Sequence, residues 1–234
     1  MQGDDLPPLR ALVANAGLQF TRRAWTEDGF EATFGVNHLG HLALIEGLLG
    51  RFTTPARIVV VSSGTHDPAI RTFIPHPLAL DARALAHPPE AEINAESPTK
   101  EGRRRYATSK LANVAMTYEL ARRLADRGIT VNAFDPGLMP GTGLGRDAGP
   151  VARALFATVA RALVVLPGVN TPRTSGADLA RLVTDTGLDN VTGQYFIRRS
   201  PTRSSAASYD QATARAFHDD SLALLAEAEA DVSK

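Results

Sequence analysis

The chain has 234 residues, 44% hydrophobic and 21% charged, which suits one substantial core in a single domain spanning 1–234. Lysine plus arginine equals aspartate plus glutamate at 25 each, so no net field recruits nucleic acid or an anionic membrane surface, and a small molecule is the expected partner. Cysteine is absent, which excludes disulfides and thiolate metal ligands and fits a cytoplasmic setting.

The acidic start, Met1 to Asp5, does not read as a secretory or transit signal. Leu9 to Ala14 is a short aliphatic run ended by Asn15-Ala16-Gly17, the pattern of a buried parallel strand stopping at a turn. Strand ends of this kind face ligands in open α/β sheets. Glu27 to Leu49 gives a helical pattern in which Phe30, Phe34, Asn37, Leu42, Ile45 and Leu49 recur at three to five residues. Asn37 is the polar member of that stripe, so it is either a structural hydrogen-bonding residue or a positioner of water.

Arg57 to Val61 is the second strand, and its unbroken apolar run predicts cover on both faces. It ends on Ser62-Ser63-Gly64, where two serines either form a turn or present a hydroxyl. From 67 to 105 the chain is proline-rich and ends in the charged run Lys100 to Arg105. This reads as a long insertion beside the substrate site, with one short helix from Asp81 to Ala86 and a solvated arginine cluster. Tyr106 to Asp126 then reads as one helix, free of glycine and proline.

Gly128 to Phe134 is a third strand ending on Asp135-Pro136-Gly137. Helix and strand now alternate, which predicts right-handed crossovers and a parallel sheet. The run Gly143-Leu144-Gly145-Arg146-Asp147-Ala148 imitates a dinucleotide fingerprint but lies seven residues past Pro136, so a glycine loop is the better reading. Val151 to Leu166 is an apolar helix, cut by Arg153 and Arg161 and too short to span a bilayer. Thr174 to Thr184 is a further helix, Gly193 to Ile197 a last strand, and Gln211 to Ala230 a terminal helix.

The chemistry concentrates at Tyr106-Ala107-Thr108-Ser109-Lys110. Four residues make about one helical turn, so phenol and ammonium share a face. A cation beside a phenol favours the phenolate and brings a group that titrates near pH ~10 closer to neutrality, as general acid/base work needs. The chain has only three lysines, Lys100, Lys110 and Lys234, and one of them sits here. His38 and His41 have no acidic or histidine partner at ligand spacing, so they read as helix residues and no metal is expected.

The ordered set Asn15-Ala16-Gly17, Asn37, Val61-Ser62-Ser63, Tyr106-x-x-x-Lys110 and Asp135-Pro136-Gly137 resembles the short-chain dehydrogenase/reductase family. Within it, Phe34 to His41 and Tyr106 to Val114 are similar to the retinol dehydrogenase and protochlorophyllide reductase branch. The resemblance implies an α/β, Rossmann-like, doubly wound parallel sheet with about four strands here, and an NAD- or NADP-dependent interconversion of alcohol and carbonyl. It makes Tyr106 the proton donor or acceptor and gives Lys110 two tasks, lowering the tyrosine's pKa and holding the nicotinamide ribose. It gives Ser63 the substrate oxygen and Asn37 a water in a proton relay. Asn15, Ala16 and Gly17 would line the adenosine side. Pro136, Gly137 and Leu138 would approach the nicotinamide amide, with Thr142 a weaker cofactor contact.

Two departures bear on that implication. Ser63 and Tyr106 lie 43 positions apart, farther than the family's usual connection, because of the proline-rich insertion. Only about eight residues precede Leu9, where family members carry a glycine-rich turn and three strand-helix units, roughly 70 to 80 residues. The expectation is therefore an N-terminally truncated catalytic portion whose first strand is an open edge, able to pair with a second copy. A non-catalytic binding or oligomerisation module is the alternative reading. The apolar helix over 151–166 suggests a lipophilic substrate, and a buried packing helix explains it equally well.

Overall fold

The computed structural model describes residues 7–20, 22–70, 74–93, 96–139 and 170–232. One sheet runs in the order β1-β2-β3-β4-β5. Strands β1 (Leu9–Ala14), β2 (Phe52–Val61), β3 (Ile129–Asp135) and β4 (Tyr195–Ile197) are parallel. The expected four strands are present, and a fifth, β5 (Ser200–Thr202), folds back antiparallel on β4. Its exposed, polar Ser-Pro-Thr carries no apolar signal.

Strand β2 shows why a continuous aliphatic run reads as a doubly covered strand. Side chains alternate across a strand. Ile58 and Val60 enter a core with Leu42, Ile45, Met116, Leu120 and Val131, while Val59 and Val61 enter another with Phe134, Leu182 and Phe196. The first core is roofed by helix α2 (Gly40–Leu48) and helix α5 (Pro98–Arg123), the second by α6 (Pro172–Thr184). Each fully buried valine or isoleucine contributes about 1.5–3 kcal/mol, so β2 anchors both layers.

The helix expected over 27–49 begins later and comes in three parts. Gly29, at φ +80°, turns the chain, and the Glu31 carboxylate accepts the Phe34 N–H at 2.8 Å to cap α1 (Ala32–Phe34). A π-helical turn, Gly35–Leu39, leads into α2. The step of five from Asn37 to Leu42 in the apolar stripe is the sequence trace of that turn, and such insertions recur at functional sites.

The 67–105 segment is less irregular than its prolines predict. It contains α3 (Ala82–Ala86), capped by the expected Asp81, and α4 (Glu90–Ile93). Its last eight residues belong to α5, which starts at Pro98, a favoured first helical position. Tyr106 therefore lies two turns inside the helix. Arg105 is buried against Glu101 at 2.9 Å, and Glu101 also holds Arg23 at 3.0 Å, so this part of the charged run is not solvated.

Gly128, in the left-handed region at φ +63°, hands the chain to β3. Helix α7 (Gln211–Val232) packs across α5 and α2. The glycine loop, Thr142 and the 151–166 helix lie outside the described residues. Among those described, no helix is long and apolar enough to cross a membrane, and β1 pairs with β2 alone.

Candidate active site

The carboxyl ends of β1, β2 and β3 converge on the buried middle of α5. Lys110 is 3% exposed, and its Nζ donates to Val61 O at the end of β2 at 3.2 Å. The same carbonyl accepts from Asn113 Nδ2 at 3.2 Å, one turn farther along α5. Ser62 Oγ donates back to Lys110 O at 2.8 Å, which locks helix and strand end together. These bonds fix where the Lys110 stem emerges from the helix.

Asn37 joins the β1 end to this frame. Its Oδ1 accepts the Leu18 N–H at 2.8 Å and its Nδ2 donates to Leu18 O at 2.9 Å and to Ser109 Oγ at 3.0 Å. Ser109 Oγ in turn donates to Tyr106 O at 2.8 Å. Both amide protons of Asn37 are thus committed to protein partners, a structural clamp between the β1 loop and α5. A Cβ on Gly17 would stand 3.3 Å from Lys110 Nζ and 3.7 Å from Asn37 Oδ1, so a side chain there would crowd the ammonium. Asn15 and Ala16 beside it are exposed.

Tyr106 is 6% exposed, and Lys110 Nζ lies 5.5 Å from its ring centroid, over the ring face. Burial pushes the phenol up to about 12, and a nearby Asp135 carboxylate adds to the rise, while contact with the Ser63 hydroxyl opposes it. Burial draws the Lys110 ammonium down to about 8 against the pull of Asp135. The expected depression of the tyrosine is therefore reversed in this chain: desolvation of the phenolate by burial is the largest influence and pushes the phenol up. At neutral pH the pair is phenol plus ammonium.

Ser63 is half-buried beside Tyr106, its Oγ accepting the Thr65 N–H at a long 3.4 Å. Its hydroxyl is left able to donate. Past β3, Gly137 takes φ +76° and donates its N–H to Asp135 Oδ1 at 2.8 Å. Pro136 O accepts Asn170 Nδ2 at 2.9 Å and Ser175 Oγ at 2.8 Å, and Leu138 stands 55% exposed. The structure thus gathers Gly17, Asn37, Ser63, Tyr106, Lys110 and the Pro136 to Leu138 turn around the strand ends.

Sequence reasoning missed a second layer. His66 donates from Nδ1 to Ser63 O at 2.7 Å and accepts the Ser205 N–H at Nε2, 3.1 Å, and its ring packs 4.9 Å from that of Tyr195. Tyr195 donates to Asp135 Oδ2 at 2.9 Å. Only the position of Asp135 at a strand end pointed to this layer. His38 and His41 are buried and held neutral, at about 3 and about 4, mainly by burial. Among the described residues no group of acidic or histidine side chains has metal-ligand geometry.

No protein-family model matches the chain. It is 34% identical over 217 residues to mouse retinol dehydrogenase 14, covering 91% of this chain and 58% of that protein. It is 33% identical over 214 residues to zebrafish polyprenol dehydrogenase, covering 87% and 58%. A Caenorhabditis elegans short-chain dehydrogenase/reductase solved with its cofactor superposes at a TM-score of 0.57 with 21% identity, over 81% of this chain and 64% of that one. The chain spans under two thirds of the length of both curated relatives. On the strength of these relatives the chain belongs to the short-chain dehydrogenase/reductase family, in its retinol dehydrogenase branch.

Proposed function

We propose that the chain is the catalytic portion of an NAD- or NADP-dependent oxidoreductase that interconverts an alcohol and a carbonyl, with Tyr106 moving the proton. The observation that carries the reading is the convergence of Ser63, Tyr106 and Lys110 where the end of β2 meets the middle of α5. Tyr106, a phenol at neutral pH, gives its proton to a carbonyl oxygen held by the Ser63 hydroxyl, or as phenolate takes one from an alcohol. The Lys110 ammonium stabilises the phenolate that the proton's departure leaves behind.

The residues present fit a nicotinamide cofactor. Gly17 puts no side chain against the Lys110 ammonium, and among the described residues a single protein acceptor, Val61 O, leaves protons of that ammonium for ribose hydroxyls. Asn15, Ala16 and Gly17 would line the adenosine side, and the Pro136 to Leu138 backbone the nicotinamide amide. The bound nicotinamide would supply or accept the hydride.

The substrate class we propose is a lipophilic alcohol or aldehyde. Ile70 and Leu138 are among the exposed large hydrophobics, and Ile70 Cδ1 reaches within 3.4 Å of a Cβ placed on Gly64, beside Ser63. Two apolar side chains at the mouth of a polar site suit a long hydrocarbon. The test is turnover of a series of straight-chain aldehydes with either reduced cofactor. Rates should rise with chain length, and Tyr106→Phe should lose about a hundredfold or more. Turnover intact in the phenylalanine variant would sink the reading.

A further inference from the structure

Lys110 is a buried ammonium whose hydrogen bond runs to a neutral carbonyl, and among the described residues no carboxylate lies within 4.0 Å of it. An uncompensated charge in such a place is costly, so a counter-charge is expected near it. The groups facing the pair come from every neighbouring element. Helix α2 offers His41, neutral by burial, and the loop after β2 offers Ser63, His66 and Asp67. From β4 comes Tyr195, and from β3 Asp135. Asp67 bears on His66 and Tyr195, whereas the field of Asp135 reaches Lys110 and Tyr106 themselves.

Asp135 is built for such a task. It is 6% exposed with both oxygens engaged, Oδ1 by the Gly137 N–H and Oδ2 by the Tyr195 hydroxyl. A Cβ on Gly64 would stand 3.2 Å from Oδ2, so the carboxylate lies directly against the end of β2. We propose that Asp135 is a positioning residue of this site, the fixed counter-charge that keeps the buried Lys110 a cation and, through Tyr195 and His66, braces the backbone that carries Ser63. Its consequence for catalysis rests on the reading given under Proposed function, but the charge itself can be measured without turnover.

Asp135→Asn removes the charge and can keep both hydrogen bonds. The amide oxygen still accepts from Gly137, and the amide nitrogen can donate to a Tyr195 hydroxyl turned round to accept. With three lysines in the chain, isotope-labelled lysine observed by carbon NMR at Cε resolves Lys110 against Lys100 and Lys234. The Lys110 midpoint should fall from about 8 in the parent by about one pH unit or more in Asp135→Asn. Tyr195→Phe, which keeps the charge and breaks a hydrogen bond, should leave it in place. Gly64→Ala, which crowds the carboxylate, should move the midpoint downward by less and serves if the asparagine variant does not fold. An unmoved midpoint in folded Asp135→Asn or Gly64→Ala, or an equal shift in Tyr195→Phe, would overturn the proposal. Failure here would leave the Tyr106→Phe turnover test untouched, so the two readings stand or fall separately.

Discussion

Two buried polar regions flank α5, and they are built differently. On the strand-end side, Asp135 uses both carboxylate oxygens, Tyr195 its hydroxyl and His66 both ring nitrogens. On the α7 side, His218 finds no hydrogen-bond partner for either ring nitrogen among the described residues. His38 there reaches Ser221 Oγ at 3.2 Å through Nε2, with Nδ1 and the nearby Asn113 Oδ1 lacking one of normal geometry. A satisfied network fixes orientation, while an unsatisfied buried group costs about 1–3 kcal/mol. The first region holds the backbone that carries Ser63 through these bonds, though among the described residues the Thr65 and Ser205 hydroxyls in it lack partners, and the second is held by packing.

That contrast can be broken by substitution. The largest expected effect is Asp135→Leu, which strands the Gly137 N–H and the Tyr195 hydroxyl and should cost about 3 kcal/mol or more in urea unfolding. His66→Leu should follow at about 2 kcal/mol, since Ser63 O and the Ser205 N–H lose their partner. A smaller effect comes from pH. Because the Lys110 ammonium is lost as pH rises through about 8, cofactor affinity by fluorescence titration should be about tenfold weaker one unit above that midpoint than well below it. Least of all, His218→Leu should fall within about 1 kcal/mol of the parent, on either side, because it removes two unpartnered nitrogens and keeps the apolar volume. A histidine as costly to lose at 218 as at 66 would erase the distinction.

What the sequence made legible was local. Leu9 to Ala14 and Arg57 to Val61 read as strands because each carries an aliphatic run closed by turn residues, but only Ala14 of the first is buried, since β1 is the edge of the described sheet. The start of α5 was hidden because Gly102, a poor helix former, sits buried in its second turn and the prolines ahead of it mimic a loop. The individual residues Asn37, Ser63, Tyr106 and Lys110 were legible as a set through family resemblance. The roles of Asp135 and His66 were not, since they depend on Tyr195 and Ser205, 60 and 139 positions away in the chain. The direction of the Tyr106 shift was also hidden, because motif spacing says which cation is near and nothing about how deeply the phenol is buried.

The claim that Tyr106 carries the proton is tested most directly by the pH dependence of the two reaction directions in one protein. Alcohol oxidation needs the phenolate and carbonyl reduction the phenol, so the first rate should rise and the second fall with pH about one shared midpoint. In Tyr106→Phe that midpoint should vanish from what turnover remains. If it persists there unchanged, another group moves the proton and the central assignment is wrong.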